Sequence, residues 1–207
     1  DLHSFPTRRS SDLVGEEGRD VERFAVKEAV MPWSRFPGAD SVLGPEMKST
    51  GEVMGIDATF PVAYAKTRQA IDYKLPRAGR VFVSVCDRDK RAIAPVAMAL
   101  VGLGYQLVAT AGTAKTLRAA GLACEVTKRL SEGHPNIVDE IEGGDIAFII
   151  NTPQGNGARG DGSILRSEAV NRGITCVTAL SATTALVQAI AAVRDTTLDV
   201  YALQDLP

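Results

Sequence analysis

From position 79 onward, short runs of β-branched and apolar residues alternate with stretches in which apolar residues recur at helical spacing. Continuous apolar runs predict strands buried on both faces, joined by helical crossovers. The pattern favours an α/β fold, doubly wound around a mainly parallel five-stranded sheet with helices on both faces. The predicted strands are 80–86, 106–109, 123–127, 146–150 and 174–178, and the predicted helices are 92–103, 114–120, 137–141, 163–171 and 183–193.

The segment before position 79 has a different pattern. Residues 23–38 contain a helix-like run, residues 39–57 are a loop with several glycines, and residues 60–75 again show helical spacing. Such a mostly helical and loop segment is not expected to close a core by itself. Residues 76–79 (Pro-Arg-Ala-Gly) mark a break, so we divide the chain into units 14–78 and 79–207 and expect the first to be partly disordered in isolation.

Residues 1–13 show neither the helical nor the strand periodicity of apolar residues, and we expect an artefactual or disordered tail there. No apolar segment follows their arginines, which argues against a signal peptide. Elsewhere the longest apolar stretches, such as 179–193, contain Ser, Thr and Gln and are shorter than the ~20 residues that a membrane span needs. No membrane association is therefore predicted.

Composition narrows the function classes further. The net charge is −2, from 23 basic and 25 acidic residues, so no basic excess is available for nucleic-acid binding. Two histidines and three cysteines give little material for a metal site or a histidine-dependent nucleophile. The three cysteines lie in apolar runs and are expected to be small buried side chains rather than reactive thiols, as is typical of a reducing, cytoplasmic compartment.

Polar residues follow three of the predicted strands, where ligands of open α/β sheets bind. The segment Ala-Thr-Ala-Gly-Thr at 109–113 leads directly into a helix, and free N–H groups there, beside threonine hydroxyls, suit a phosphate. Lys90 and Lys128 follow strands and could add positive charge. Alternatively, Thr110 and Thr113 only cap the helix and the lysines are solvated.

Three other polar residues have structural interpretations. His134 is expected in a loop before a helix whose N-cap is Asn136. Asp87 and Asp161 are expected to be cap or turn residues rather than catalytic bases.

Two motifs resemble one enzyme family. Residues 43–55, Leu-Gly-Pro-Glu-Met-Lys-Ser-Thr-Gly-Glu-Val-Met-Gly, resemble the segment that closes the second ATP-grasp half of carbamoyl-phosphate synthetase large subunits, and residues 26–38 fit the same family. Residues 79–207 resemble the C-terminal allosteric domain of those subunits, which has a methylglyoxal-synthase-like fold. By this resemblance, which covers nearly all of 21–207, residues 14–78 are a remnant of the ATP-grasp domain.

The resemblance implies a cytoplasmic, glutamine-hydrolysing, ATP-dependent ligase. The complete enzyme makes carbamoyl phosphate from glutamine-derived ammonia, bicarbonate and two ATP for arginine and pyrimidine synthesis, with Mg²⁺ and with Mn²⁺ or K⁺ as further candidate ions. Its ATP sites would lie upstream of Val14, so we expect no catalytic residue, metal ligand or cofactor in this part. The implied partners are the rest of the large subunit and the glutaminase small subunit.

The allosteric domain of the family binds nucleotide monophosphates such as UMP or IMP. The positions that match the family's effector contacts are Ser84, Lys90, Thr110, Gly112, Thr113, Lys128, Asn151 and Thr152. Thr178 matches a neighbour of the ornithine site of some relatives. Pro153, Asn156 and Gly157 depart from the pattern of some relatives, which leaves the identity of the effector open.

Two alternatives share the fold. A methylglyoxal synthase-like lyase would need a carboxylate base, but residues 131–135 (Ser-Glu-Gly-His-Pro) stand where that family has a Gly-Gly-Asp turn, and Glu132 is a poor substitute by position. The third possibility is a structural or oligomerisation module that binds no ligand.

Overall fold

The computed structural model describes residues 23–35, 48–71, 75–153, 160–194 and 197–200, and every structural statement below refers to these ranges. The predicted tail at 1–13, the first part of the 43–55 motif, and the substituted positions Asn156 and Gly157 lie outside the described residues.

The five strands predicted after position 79 are all present and form one parallel sheet. Helices follow the strands, and the predicted α/β doubly wound fold is confirmed. The strands are β3 (Arg80–Ser84), β4 (Gln106–Thr110), β5 (Glu125–Thr127), β6 (Ile146–Asn151) and β7 (Thr175–Val177), and the helices are α2 (Lys90–Gly102), α3 (Ala111–Ala119), α4 (Ile137–Glu142), α5 (Asp161–Asn171) and α6 (Leu180–Val193).

The apolar strands supply two cores because successive side chains of a strand point to opposite faces of the sheet. Val81 and Val83 face one core, which also holds Leu100 of α2, Leu117 of α3 and Leu186 of α6. Phe82, between the two valines, faces the other core with Ile137 of α4 and Leu165 of α5. The sheet is therefore covered on both faces, which explains why the middle residues of the central strands β3, β4 and β6 are continuously apolar.

The order of strands creates a crevice at the centre of the sheet. The order is β5-β4-β3-β6-β7, so the chain begins at β3, builds outward to β5, and then returns to add β6 on the other side of β3. The connections from β3 and from β6 leave in opposite directions, and ligands of such folds bind at this point beyond the strand carboxyl ends. At the base of this crevice β3 and β6 remain hydrogen-bonded to each other, because the Thr152 N–H donates to the Ser84 carbonyl at 3.2 Å.

The helix predicted in residues 23–38 is wrong. Residues Phe24–Val30 form a strand, β1, which pairs antiparallel with β2, Gly51–Asp57, so the predicted loop at 39–57 also ends in a strand. Exposure along the end of β1 alternates, with Val26, Glu28 and Val30 less exposed than the residues between them. The Ala, Lys and Glu content is typical of a helix, but pairing with a strand more than 20 residues away overrides that local preference.

The predicted helix at 60–75 is present but shorter, as α1 (Phe60–Ala70). Its side chains bind the antiparallel pair β1–β2, which we call the hairpin. The Thr67 hydroxyl donates to the Val26 carbonyl at 3.1 Å, and Arg68 pairs with Glu28 at 2.5 Å. On its other side α1 packs against α6. The hairpin is thereby connected through α1 to the α/β sheet.

Candidate functional site

A cavity of about 410 Å³ lies at the carboxyl ends of β3 and β6, where the winding of the sheet reverses. Its volume is within the range of small-molecule sites. Four of the predicted ligand residues lie in its wall: Ser84, Thr110, Asn151 and Thr152. The topology thus brings together residues that are up to 68 positions apart in the chain, from Ser84 to Thr152.

The two threonines at the start of α3 have different roles. Thr110 occupies the N-cap position, but its side chain makes no capping hydrogen bond. The alternative interpretation, in which the Thr110 hydroxyl only caps the helix, therefore does not hold in this structure. Thr113 is buried, and its hydroxyl oxygen accepts the Val85 N–H at 3.3 Å. Thr113 therefore holds the loop after β3 against the first turn of α3.

The end of β6 is bound to the same loop. The Thr152 hydroxyl oxygen accepts the Cys86 N–H at 2.9 Å, and the Asn151 amide nitrogen donates to the Ser84 carbonyl at 3.3 Å. Both side chains are almost fully buried. The polar wall of the cavity is consequently held by hydrogen bonds to backbone rather than left to adapt freely.

Lys90 places a positive charge beside the first turn of α3. A Cβ built on Gly112 would lie 3.3 Å from the Lys90 Nζ, so the ammonium group rests against the glycine. The same ammonium pairs with the Asp87 carboxylate at 2.6 Å, and this hydrogen bond lowers the pKa of Asp87. Asp87 is therefore the partner of a lysine rather than a catalytic base in this conformation.

The structure does not place the other predicted site residues in the wall of this cavity, namely Lys90, Gly112, Thr113, Lys128 and Thr178. The Lys128 side chain is exposed and donates to the His134 carbonyl at 3.2 Å. Thr178 lines a second, smaller cavity of about 180 Å³, together with Glu28, Trp33 and Arg68. That second cavity lies where the β1–β2 unit meets the end of β7.

Arginine and aspartate residues line the main cavity at positions that the sequence did not single out as ligands. Arg166 of α5 is only 4% exposed, and its Nη1 donates to the Asn151 Oδ1 at 2.8 Å. The Asp161 carboxylate accepts both the Ser131 N–H at 3.1 Å and the Ser131 hydroxyl at 2.6 Å. A single arginine inside a helix of mixed polar and apolar residues leaves no short motif, so only the fold reveals that it is buried.

The segment after β5 contains the helix cap that its sequence predicts. Asn136 caps α4 by accepting the Val138 N–H at 2.9 Å, as expected for the residue after the His134 loop. Glu132, the weak candidate for a lyase base, accepts the Arg129 N–H at 2.8 Å and closes its own turn. Among the residues that line the cavity, the carboxylate is that of Asp161.

The polar part of the cavity wall consists mainly of groups that can bind an anion. Hydroxyl, amide and guanidinium groups lie in its wall, and the N-termini of α3 and α5 both reach it through Thr110 and Gly160. Free N–H groups at helix N-termini favour phosphate. In the described part of the chain, His, Cys, Asp and Glu side chains form no group of three suited to a metal ion, and no described helix is long and apolar enough to cross a membrane.

Comparison with known proteins agrees with this architecture. Residues 92–178 match the MGS-like domain, and the match covers β4 to β7 of the parallel sheet. Over most of its length the chain is also similar to carbamoyl phosphate synthase large chains. It is 45% identical over 180 residues to that of Rhodopirellula baltica and 48% identical over 185 residues to that of Synechocystis sp..

A third relative shows where in the large chain this similarity lies. The carbamoyl phosphate synthase large chain, C-terminal section, of Methanopyrus kandleri is 50% identical over 183 residues. These matches cover 87–89% of this chain but only 17–34% of the relatives, so the chain spans between a sixth and a third of their length. The family resemblance seen in the sequence is confirmed, and the chain corresponds to the C-terminal part of such a large chain.

Proposed function

We propose that residues 79–207 bind a nucleoside monophosphate effector in the main cavity. The observation that carries the proposal is the position of the cavity at the winding reversal of the sheet, with Ser84, Thr110 and Asn151 in its wall. Each of these side chains offers a hydrogen bond, and none carries a charge. The Lys90 ammonium beside Gly112 would supply the charge that a phosphate requires.

The residues divide naturally into two groups under this proposal. The phosphate would lie at the edge of the cavity, beyond Thr110, where the backbone N–H groups near Gly112 and Thr113 at the N-terminus of α3 meet the Lys90 side chain. The ribose and base would lie over Ser84, Asn151 and the polar backbone beside Thr152. Lys128 would join the site only after leaving the His134 carbonyl that it contacts here.

For the whole protein we propose the function that its relatives' names state, carbamoyl phosphate synthesis. The expected reaction uses glutamine through a separate glutaminase subunit, bicarbonate and two ATP, with Mg²⁺ bound outside residues 79–207. The chain would then be the regulatory end of this ligase in the cytoplasm. Coupling between an effector site and distant ATP sites typically changes affinity by about 5–150-fold.

The test is a calorimetric titration of the chain with UMP, IMP and inorganic phosphate. We expect nucleotide binding that is weakened about tenfold by Thr110→Val, since one hydrogen bond to a charged group is lost without a change in shape. Thr184→Val is the matched control, because Thr184 is exposed on α6 and its hydroxyl only contacts the Leu180 carbonyl of its own helix.

The outcomes separate the three functions. Binding that Thr110→Val weakens and Thr184→Val does not supports the effector site. Absence of binding to the folded chain contradicts it and favours a structural module. Formation of methylglyoxal from dihydroxyacetone phosphate would instead favour a lyase that uses Asp161, the carboxylate in the cavity wall.

A further inference from the structure

A buried guanidinium lies beneath the proposed effector site. Arg166 is 4% exposed and reaches from α5 to the end of β6, where its Nη1 donates to the Asn151 Oδ1 at 2.8 Å. Burying an arginine has a large desolvation cost, so such a side chain is kept where its hydrogen bonds are specific. The contact joins it to a residue that the proposed function places against the ligand.

This contact determines which way the Asn151 carboxamide points. An arginine can only donate and a carbonyl can only accept. The oxygen of Asn151 must therefore face Arg166, and its nitrogen must face the Ser84 carbonyl, which it contacts at 3.3 Å. With the oxygen engaged, the group that Asn151 retains for a ligand in the cavity is its second N–H, a donor.

The start of α5 is shaped to permit the contact. A Cβ built on Gly162 would lie 2.9 Å from the Arg166 Nη1 and 3.2 Å from the Asn151 Oδ1. Both distances are shorter than ordinary contacts, and the backbone of Gly162 is in a helical conformation that any residue adopts. A side chain at position 162 would therefore force the arginine and asparagine groups to shift, whereas the helix itself would tolerate it.

We infer that Arg166 is a positioning residue that fixes Asn151 as a hydrogen-bond donor to the effector, and that Gly162 leaves the space for it. The inference rests on the proposed function. It specifies that the ligand atom at the end of β6 is an acceptor, such as a phosphate, hydroxyl or carbonyl oxygen. Without Arg166 the Asn151 oxygen loses its donor, and only the 3.3 Å contact with the Ser84 carbonyl still opposes a turn of the carboxamide that would present its oxygen and repel such an atom.

A double-variant cycle tests this inference. UMP, IMP and inorganic phosphate are titrated into the chain and into Arg166→Met, Asn151→Ala and the combined variant, with unfolding curves as the check on folding. We expect each single variant to weaken nucleotide binding about tenfold. The combined variant should be no weaker than Asn151→Ala alone, because Arg166 acts through Asn151.

Arg172→Met is the matched control. Arg172 follows the same helix and pairs with Glu168 and Glu142 away from the cavity, so its loss should leave nucleotide binding unchanged. If the effects of Arg166→Met and Asn151→Ala multiply, Arg166 contacts the ligand directly and the inference is overturned. If the unsubstituted chain binds none of the three probes, the proposed function fails, and the inference with it.

A second variant covers the case in which Arg166→Met does not fold. Gly162→Ala keeps both the guanidinium and the carboxamide but pushes them apart. We expect it to reduce nucleotide affinity about tenfold and to have no further effect when combined with Asn151→Ala. Full affinity in Gly162→Ala would show that the orientation of Asn151 does not matter and would refute the inference.

Discussion

At Gly55 the β1–β2 hairpin lies directly against the backbone of α1. A Cβ at this position would lie 2.2 Å from the Ala63 carbonyl oxygen, 2.5 Å from the Thr67 Oγ1 and 2.8 Å from the Thr67 nitrogen. Two of these atoms belong to the helix backbone, which cannot turn aside as a flexible side chain does. Gly55→Ala must therefore separate β2 from α1.

The expected cost follows from what this separation disrupts. Overpacking typically costs about 1–3 kcal/mol. Moving α1 away also lengthens the hydrogen bond between the Thr67 hydroxyl and the Val26 carbonyl, now 3.1 Å, which contributes about 1 kcal/mol. We therefore expect Gly55→Ala to destabilise the hairpin and α1 by about 2–4 kcal/mol.

The chain carries its own probe for this unit. Trp33 is the single tryptophan and lies in the short 3-10 helix just after β1, so its fluorescence reports on the hairpin during urea unfolding. Gly51→Ala is the control on the same strand, since its Cβ would meet no atom within 4 Å. Alanine is favoured over glycine in a strand by about 0.5–1 kcal/mol, so this control should be neutral or stabilising.

The reasoning is refuted if Gly55→Ala and Gly51→Ala give the same Trp33 unfolding midpoint. Limited proteolysis provides an independent reading: cleavage within 23–71 should accelerate in Gly55→Ala and remain slow in Gly51→Ala. Rapid cleavage of this region in the unsubstituted chain would instead support the expectation from the sequence that residues 14–78 are partly disordered in isolation.

Two further predictions concern the main domain. Gly112→Ala places a methyl group 3.3 Å from the Lys90 Nζ; the lysine can move, so we expect weaker phosphate binding in calorimetry with the unfolding midpoint unchanged, and a large loss of stability would contradict this. At the start of α4, the Asn136 N–H, then His134, lower the pKa of Asp139 from its ordinary 3.8. The charged form is thus favoured in the folded state. The stability that Asp139 contributes is therefore present above pH 3.8 and is lost as the pH falls through the lowered pKa of the folded state. The stability difference from Asp139→Asn should shrink below 3.8, and a difference that stays constant would show that the carboxylate is not involved.

The α/β part was predictable because its signal is local. Runs such as 146–150 are apolar throughout, and polar or glycine residues follow most of the runs. The predicted helices began up to three residues late, as at α3, which starts at Ala111 rather than 114. The Thr-Ala-Gly-Thr sequence resembles a turn, but residues 111–113 form the first helical turn itself.

The wrong helix and the missed arginine have a common cause: in both cases the contact that decides the structure joins residues far apart in the sequence. β1 was predicted as a helix because its partner β2 begins more than 20 residues later. Arg166 was not recognised because its role depends on a contact with Asn151, 15 residues earlier on another element. Thr110 and Asn151 directly follow the predicted strands 106–109 and 146–150, a position that the local pattern does reveal, whereas Ser84 lay inside the predicted strand 80–86 and proves to be the last residue of β3.

The most direct test of the effector site is a crystal structure of the chain grown with UMP or IMP, whichever binds more tightly. The account predicts that the phosphate lies at the N-terminus of α3 beside Gly112 and Lys90, with the nucleoside over Ser84 and Asn151. Nucleotide bound at another place on the molecule, with the cavity between the ends of β3 and β6 left unused, would contradict it.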